Sequence, residues 1–192
     1  MVSAIVLAAG RSSRMGRMKQ LLPIAGKPVI AHCLAAIANS GITEIVVVAN
    51  PAMAAFFQTE RKPALTVLFN TAPSSEMSDS ARIGLKDVSA TSSGVLIYLA
   101  DYPLVTSETV RTLCETHLEK PNRILIPTYQ GRSGHPCLFP RVFANEVYND
   151  LTLKEIVHFD SNRVTLIDVP DEGILLDIDT EEDYQAMLRR VK

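Results

Sequence analysis

The sequence predicts a doubly wound α/β domain, a Rossmann-like three-layer α/β/α arrangement around a mostly parallel sheet. Two observations lead to this fold class. Apolar runs of strand length alternate with helical segments as far as residue 127. Such runs are continuous, as in residues 44–49, which is typical of strands buried on both faces. A β-α-β-α order with right-handed crossovers then gives a sheet covered by helices on both sides.

The alternating half can be divided into elements by its apolar runs and its terminal residues. Pro28 and Gly41 stand where helices prefer to begin and end. The predicted strands are 4–7, 44–49, 64–69, 94–100 and 123–127, and the predicted helices are 28–41, 52–59, 77–86 and 107–119.

The alternation breaks at Tyr129. Residues 129–140 contain two glycines and two prolines and predict a loop and hairpin inserted late in the domain. Thr180 is a plausible N-cap for a C-terminal helix beginning at Glu181. Between the hairpin and the C-terminal helix we predict short helices at 141–148 and 152–159 and strands at 164–169 and 174–176.

Composition limits the classes of function. The 192 residues predict one domain, 1–192, and a net charge of −2 gives no reason to expect a nucleic-acid or anionic-membrane partner. No apolar run approaches membrane-spanning length, and residues 4–9 are too short for a signal-peptide core. Three cysteines without a C-x-x-C spacing indicate reduced, buried thiols. We therefore expect a soluble, cytoplasmic protein.

Four predicted strands end in residues that suit ligand binding: Gly10, Asn50, Asn70 and Asp101. In an open parallel sheet, ligands bind beyond the carboxyl ends of the strands. The topology therefore predicts a site at this edge if the strand order makes these ends neighbours.

The turn after the first strand, residues 7–16, is rich in small residues and is followed by Lys19. Small residues let a ligand approach the main chain, and the N–H groups and cations of such a turn suit a polyphosphate. The spacing matches neither G-x-G-x-x-G nor a P-loop. The cations are Arg11, Arg14, Arg17 and Lys19.

Asp101 directly follows a largely apolar run. A carboxylate in that position is costly unless something stabilises it, and a Mg²⁺ ion that bridges substrate phosphates would do so. The alternative is a turn or capping aspartate before Pro103 and the helix that begins at Ser107.

Residues 7–28, which read L-A-A-G-x-S-x-R-M-G-x-x-K followed by L-L-P and G-K-P, resemble the signature of MobA-like nucleotidyltransferases. The resemblance implies a GT-A-type fold, as in nucleotide-diphospho-sugar transferases, and the transfer of a nucleotide to a phosphorylated acceptor. It implies Arg14, Lys19 and Asp101 as catalytic residues. The implied nucleotide-binding residues are Leu7, Ala8, Ala9, Gly10, Arg14, Lys19, Asn50, Asn70, Ser78 and Ser80.

Two further stretches resemble the metal-binding segments of this family. Residues 100–105 resemble G-D-Q-P-L-V, with Tyr102 in place of glutamine, and residues 177–183 resemble D-I-D-T-P-E-D. The implied metal ligands are Asp101 and Asp179, with Asp177 as the fallback because a strand-like stretch would point both aspartates to one side. The alternative is that these acids cap the last helix and interact with its dipole.

The two remaining stretches resemble the base- and acceptor-binding segments. Residues 70–85 resemble N-P-x-x-x-x-G-M-S-x-S-L-x-x-G-L, with Glu76 in place of glycine. Residues 129–136 resemble Y-x-G-x-R-G-H-P, with Ser133 in place of the second arginine. The implied acceptor-binding residues are Tyr102, Gly134, His135 and Pro136.

Five segments in this order are similar to molybdenum cofactor cytidylyltransferases. This resemblance implies transfer of CMP from CTP to molybdopterin or the molybdenum cofactor, with Mg²⁺ as cofactor and pyrophosphate as product. It also implies a nucleotide-binding half at about 1–105, an acceptor-binding half at about 106–192, and a molybdenum hydroxylase as a possible delivery partner.

Three residues depart from the family's pattern, Glu76, Tyr102 and Ser133, and they keep other functions open. One is a relative that uses GTP, or a sugar phosphate or polyol phosphate as the acceptor. The other is a non-catalytic accessory protein that holds molybdopterin for delivery.

Overall fold

The computed structural model describes residues 1–10, 12, 14–59, 65–72 and 76–191. Arg11 and Ser13 of the first turn lie outside the described residues, as do the first residue of the predicted strand 64–69 and residues 73–75 of the predicted base-binding stretch.

Eight of the described strands form one sheet, which confirms the predicted mostly parallel α/β architecture. β1 lies at its centre between β4 and β6 and runs parallel to both. Along the sheet the order is β10-β7-β9-β6-β1-β4-β5, with β8 paired to β7. The strands are β1 Val2–Ala8, β4 Ile45–Ala49, β5 Leu65–Phe69, β6 Gly94–Leu99, β7 Ile124–Tyr129, β8 Arg132–Ser133, β9 Cys137–Pro140 and β10 Val164–Asp168; β2 Pro23–Ile24 and β3 Lys27–Pro28 form a separate hairpin.

Helices cover both faces of the sheet, which gives the three predicted layers. Apolar residues of α1, α2 and α4 belong to one core cluster, and those of α3, α5 and α6 belong to another. α7 packs instead on the β2–β3 hairpin through Tyr184 and Met187. The helices are α1 Val29–Asn39, α2 Ala54–Thr59, α3 Met77–Asp87, α4 Ser107–Glu119, α5 Arg141–Ala144, α6 Leu153–Phe159 and α7 Glu181–Arg190.

Alternation along β1 explains how one strand serves both cores. Ala4 and Val6 point into the first cluster, whereas Ile5 points into the second. Gly84 of α3 lies directly over Ile5, because a Cβ built on this glycine would be 2.7 Å from the Cγ2 of Ile5. α3 can therefore approach the centre of the sheet closely only because residue 84 is glycine.

The late insertion is a hairpin that becomes part of the main sheet. β8 pairs antiparallel with β7, and β9 returns between β7 and β6, antiparallel to both. The four residues of β9, Cys137–Pro140, are all buried. The insertion therefore joins the two parallel parts of the sheet.

One predicted element is wrong. Residues 174–176 do not form a strand, because Glu172–Leu175 is a 3-10 helix. The buried Asp171 carboxylate accepts hydrogen bonds from the N–H of Gly173 and the hydroxyl of Thr109, so the chain turns here instead of extending. The following residues 176–179, predicted to be strand-like, are also outside any strand.

Most other elements agree with the prediction to within a few residues. The predicted N-cap Thr180 accepts a hydrogen bond from the N–H of Asp183, and the Asp183 carboxylate accepts one from the N–H of Thr180 in return. The predicted helix 141–148 divides into α5 and a 3-10 helix, Asn145–Asn149. All three cysteines are free, but Cys114 is only partly buried, unlike Cys33 and Cys137.

Candidate active site at the carboxyl edge of the sheet

The carboxyl ends of the central strands surround a cavity of about 560 Å³. Gly10, Asn50, Asn70 and Asp101 all line it, as the strand order β6-β1-β4-β5 requires. We call this space the nucleotide cavity. Its other lining residues are Leu7, Ala9, Lys19, Gln20, Pro51, Thr71, Ala72, Glu76, Met77, Ser80 and Leu99.

Lys19 lies at one end of this cavity, fixed by the turn that precedes it. It begins a 3-10 helix, Lys19–Leu21, and its backbone N–H donates to the hydroxyl of Ser12 at 3.1 Å. Gln20 donates to the carbonyl of Gly10 at 3.5 Å. The chain thus folds back on the end of β1, and the Lys19 side chain reaches the end of β6.

The Lys19 ammonium lies between two carboxylates. Its Nζ is 2.6 Å from Oδ2 of Asp101 and 2.7 Å from Oδ1 of Asp179. Arg14 contacts the other oxygen of Asp179 at 3.0 Å. The structure therefore brings together four residues that are separated by up to 165 positions in the chain.

Burial differs across this cluster. The side chain of Lys19 is 10 % exposed and that of Asp101 is 19 % exposed, whereas Asp179 is 45 % and Arg14 is 73 % exposed. Burial alone lowers the pKa of Lys19, but attraction to Asp101 and hydrogen bonds to Asp101 and Asp179 outweigh it and raise that pKa above 10.5. The hydrogen bond from Lys19 lowers the pKa of Asp179 below 3.8. Lys19 and Asp179 are thus both charged at neutral pH.

The carboxylates fit a hard divalent cation. Oδ1 of Asp101 is buried and has no hydrogen-bond partner among the described atoms, which is costly for a carboxylate oxygen. An oxygen-liganded cation beside it would remove that cost. Among the described residues, no three acidic, histidine or cysteine side chains form a complete metal-binding group. Mg²⁺ does not require one, because it binds through one or two carboxylates plus substrate phosphates and waters.

Asp177, the alternative metal ligand, lies close enough to Asp101 and Asp179 for their charges to affect its pKa. Burial raises its pKa above 3.8, and the nearby Asp179 and Asp101 raise it further. It makes neither of the two ion pairs with Lys19, which go to Asp101 and Asp179. The geometry therefore favours Asp179 over Asp177 as the partner of Asp101.

Asn50 and Asn70 use their amides to shape the cavity wall. Each accepts a hydrogen bond from the N–H two residues further on, that of Ala52 or Ala72, which is an Asx-turn. The amide of Asn50 also donates to the carbonyl of Ala9, and that of Asn70 donates to the hydroxyl of Ser80. Both side chains therefore hold the strand ends in position.

Some of the remaining predicted nucleotide-binding residues line the nucleotide cavity, and others do not. Leu7, Ala9 and Ser80 line the nucleotide cavity, whereas Ala8 and Ser78 are buried and are not among its lining residues. Glu76 lines the cavity and immediately precedes α3, with its N–H donating to the Asp79 carboxylate at 2.8 Å.

A second cavity of about 600 Å³ adjoins the first, and Met77 and Leu99 line both. We call it the acceptor cavity. The predicted residues Tyr102, Gly134 and His135 line it, and the rings of Tyr102 and His135 are 5.2 Å apart. Pro136 is buried behind them and is not a lining residue.

Three basic side chains at this cavity are not identified by the sequence analysis: Arg132, Lys154 and His158. Lys154 and His158 are four residues apart on α6, which places them on one helical face. The spacing is visible in the sequence, but the cavity that this helical face borders depends on how α6 packs. No carboxylate occurs among the described lining residues of this cavity.

A search of the described helices finds none that is both long and apolar enough to cross a membrane.

Known proteins resemble this chain in sequence and in fold. The chain is 31% identical over 117 residues to the chloroplastic 2-C-methyl-D-erythritol 4-phosphate cytidylyltransferase of Oryza sativa subsp. japonica, covering 59% of this chain and 39% of that protein. It is 28% identical over 167 residues to the bifunctional protein GlmU of Bacillus cytotoxicus, covering 85% of this chain and 35% of that protein. The chain thus spans little more than a third of these relatives' lengths.

Among solved structures, the chain resembles Rv0371c of Mycobacterium tuberculosis H37Rv, with a TM-score of 0.82 and 26% identity over 98% of this chain and 97% of that one. A second structure of Rv0371c is a complex with manganese. The sequence profile of the MobA-like NTP transferase domain matches residues 4–158, which is most of the chain. The chain therefore belongs to the family of nucleotidyltransferases with a MobA-like NTP transferase domain.

Proposed function

We propose that this protein is a cytidylyltransferase that moves CMP from CTP to a phosphorylated acceptor, molybdopterin or the molybdenum cofactor, and releases pyrophosphate. The observation that carries the proposal is the position of Lys19, between Asp101 and Asp179 and beside the Gly10 turn. This cluster lies where the end of β6 meets the nucleotide cavity. Tyr102, one residue beyond Asp101, lines the adjoining acceptor cavity.

In the proposed reaction, a phosphate oxygen of the acceptor attacks the α-phosphorus of CTP in line. The bond from that phosphorus to the bridging oxygen of the β-phosphate breaks, and its electrons leave with pyrophosphate. The acceptor phosphate is already ionised at neutral pH, so no general base is needed. Catalysis then depends on positioning and on neutralising charge.

The protein's own groups supply much of that neutralisation. Lys19 and Arg14 would bind phosphate oxygens as charge builds on the leaving pyrophosphate. Asp101 and Asp179 would hold the divalent metal, which would supply positive charge that offsets the negative charge of the phosphates. The manganese complex of the related Rv0371c supports a divalent metal, and Mg²⁺ is our proposal for the ion used.

The acceptor cavity suits a flat, anionic molecule. The Tyr102 and His135 rings offer an aromatic surface, and Arg132, Lys154 and His158 add basic groups without an opposing carboxylate among the described lining. Phosphorylated pterins combine these two properties. We further propose a nucleotide-binding half at about 1–105, an acceptor-binding half at about 106–192, a cytoplasmic location, and delivery of the product to a molybdenum hydroxylase.

Two alternatives have specific support. The similarity to a 2-C-methyl-D-erythritol 4-phosphate cytidylyltransferase favours a sugar or polyol phosphate acceptor. Glu76 at the nucleotide cavity keeps a GTP-using enzyme open. A non-catalytic carrier of molybdopterin is less well supported, because a carrier does not need the cluster of Lys19, Asp101 and Asp179.

Two measurements test the proposal. Thermal unfolding with CTP, GTP, ATP or UTP plus Mg²⁺ should show the largest stabilisation with CTP, because selective binding raises the melting temperature by mass action. Pyrophosphate release should then require CTP and molybdopterin together. A shift with GTP alone contradicts the choice of CTP, release with a sugar phosphate contradicts the pterin acceptor, and pterin binding without release identifies a carrier.

A further inference from the structure

Lys19 holds a position that conflicts with its proposed role. Its ammonium contacts both carboxylates proposed as metal ligands, at 2.6 and 2.7 Å. The second oxygen of Asp179 is also engaged, by Arg14 at 3.0 Å. In this arrangement the only carboxylate oxygen of Asp101 and Asp179 without a partner among the described atoms is the buried Oδ1 of Asp101.

A divalent cation cannot simply be added to this arrangement. An ion bound to both Asp101 and Asp179 would lie next to the Lys19 ammonium, and two like charges in a partly buried position repel strongly. The ammonium already neutralises one of the two negative charges that would attract the metal. The Lys19 contacts with the carboxylates and metal binding by the same carboxylates therefore compete.

The nucleotide cavity offers Lys19 another anion. It extends from Lys19 past the Gly10 turn, which is where the triphosphate is proposed to bind. Bound phosphates would bring several negative charges to the ammonium, so Lys19 could leave the carboxylates without losing an ionic partner.

We propose that Lys19 is a stand-in cation, which neutralises Asp101 and Asp179 in the nucleotide-free protein and leaves them to a divalent metal when nucleotide phosphates bind its ammonium. The metal and the nucleotide then enter together, and free metal binds weakly. The inference rests on the proposed nucleotide and metal sites, and it assigns Lys19 control over the order of binding.

The test is Mn²⁺ binding, measured from the electron paramagnetic resonance signal of the free ion, with and without the non-hydrolysable analogue α,β-methylene CTP. Without the analogue, Lys19→Met should bind Mn²⁺ at least about tenfold more tightly than the unaltered protein, because a competing charge is gone. With the analogue, the unaltered protein should gain Mn²⁺ affinity and the variant should gain much less. Coupling between two ligands is reciprocal, so Mn²⁺ should strengthen analogue binding by the same factor.

Three variants control the test. Lys19→Arg keeps the positive charge and should keep nucleotide-free Mn²⁺ binding weak. Lys120→Met removes a positive charge just after α4, far from the carboxyl edge, and should change nothing. Lys19→Gln repeats the main test with a polar side chain, should Lys19→Met fail to fold.

Two outcomes overturn the inference in distinguishable ways. If neither Lys19→Met nor Lys19→Gln binds Mn²⁺ more tightly than the unaltered protein without nucleotide, Lys19 does not compete with the metal, although the proposed function stands. If Mn²⁺ does not bind any of these proteins even with the analogue, the metal site itself is wrong, and both proposals fail.

Discussion

The nucleotide cavity and the acceptor cavity adjoin each other but are built in different ways. The first is formed by the ends of neighbouring parallel strands, and its lining carries both signs of charge: Lys19, Glu76 and Asp101. The second is formed largely by the late hairpin, α6 and a 3-10 helix, and its described lining has basic residues but no carboxylate. The ends of the parallel strands thus provide the part proposed to bind metal and triphosphate, and the hairpin, α6 and the 3-10 helix provide the part proposed to bind the second substrate.

The difference suggests that the two cavities can be damaged separately. Variants on the strand ends should impair every nucleotide-dependent step. Variants on the hairpin should impair the use of acceptor and leave nucleotide binding intact.

The largest effect should come from Asp101→Ala. It removes the partly buried carboxylate that pairs with Lys19 and is proposed to hold the metal. The fall in kcat/KM should therefore correspond to a loss of at least about 2–3 kcal/mol in transition-state stabilisation. The kcat/KM of the Lys19→Ala variant should fall by a similar amount. Steady-state pyrophosphate release measures both. The matched control is Asp168→Ala, at the exposed end of β10 in the same sheet. Turnover near that of the unaltered protein would remove the altered residue from the mechanism.

Gly134→Ala should damage the acceptor cavity through packing. A Cβ on residue 134 would be 2.2 Å from the carbonyl oxygen of Ile174, so backbone must move, at a cost of about 1–3 kcal/mol in the free energy of unfolding. The shift disturbs the hydrogen bond from the N–H of His135 to the same carbonyl. Urea unfolding and the KM for acceptor measure the effect, whereas the affinity for the nucleotide should be unchanged.

Gly10→Ala is the matched glycine control for that stability measurement. Among the described residues, a Cβ there would meet only the side chain of Gln20, at 3.7 Å, an ordinary contact. Its unfolding free energy should therefore equal that of the unaltered protein. If Gly134→Ala weakens nucleotide binding as much as acceptor use, the two cavities are not separable.

Asn70→Ala should have a smaller effect, of about 1–2 kcal/mol on stability. The change leaves the N–H of Ala72 and the hydroxyl of Ser80 without their partner at the end of β5. Nucleotide affinity should fall with stability, because the Asn70 amide also holds the end of β5 at the nucleotide cavity. An unchanged melting temperature with a large loss of CTP affinity would instead indicate direct recognition.

The smallest effect is a pH dependence in the acceptor cavity. Burial lowers the pKa of His135 below 6.5, although attraction to Asp101 opposes the change. As the pH falls below 6.5, the unfolded chain therefore takes up a proton before the folded one. The free energy of unfolding should then decrease until the folded pKa is passed. Urea unfolding at pH 7.5 and 5.5 should show a smaller decrease for His135→Gln, and an equal decrease would contradict the assignment.

The sequence predicts the nucleotide side of the molecule better than the acceptor side, for a physical reason. Parallel strands fix which chain ends meet, so the grouping of Gly10, Asn50, Asn70 and Asp101 follows from strand periodicity once the order is known. That Asn50 and Asn70 contact the nucleotide stays a prediction, and the sequence does not indicate that their amides also hold the strand ends. Side-chain partners of that kind leave no periodic signal.

The acceptor side depends on packing that periodicity does not reveal. The predicted strand 174–176 is apolar, but the buried carboxylate of Asp171 turns it into a 3-10 helix. Arg132, Lys154 and His158 are polar residues in short elements, and only the tertiary fold directs them toward one cavity. The two residues of the Lys19–Asp179 ion pair are 160 positions apart in the chain. The family resemblance implies a role for each residue, but it does not imply that their side chains are in contact.

The packing of α7 on the β2–β3 hairpin also has a consequence for biosynthesis. The ribosome makes the Gly10 turn and Asp101 well before Asp179, which precedes α7 and is placed when Tyr184 and Met187 pack beside Ile24. A nascent chain released before Asp179 would lack one of the two carboxylates that contact Lys19. Incomplete products of translation would thus lack the complete charge cluster that is proposed to act in catalysis.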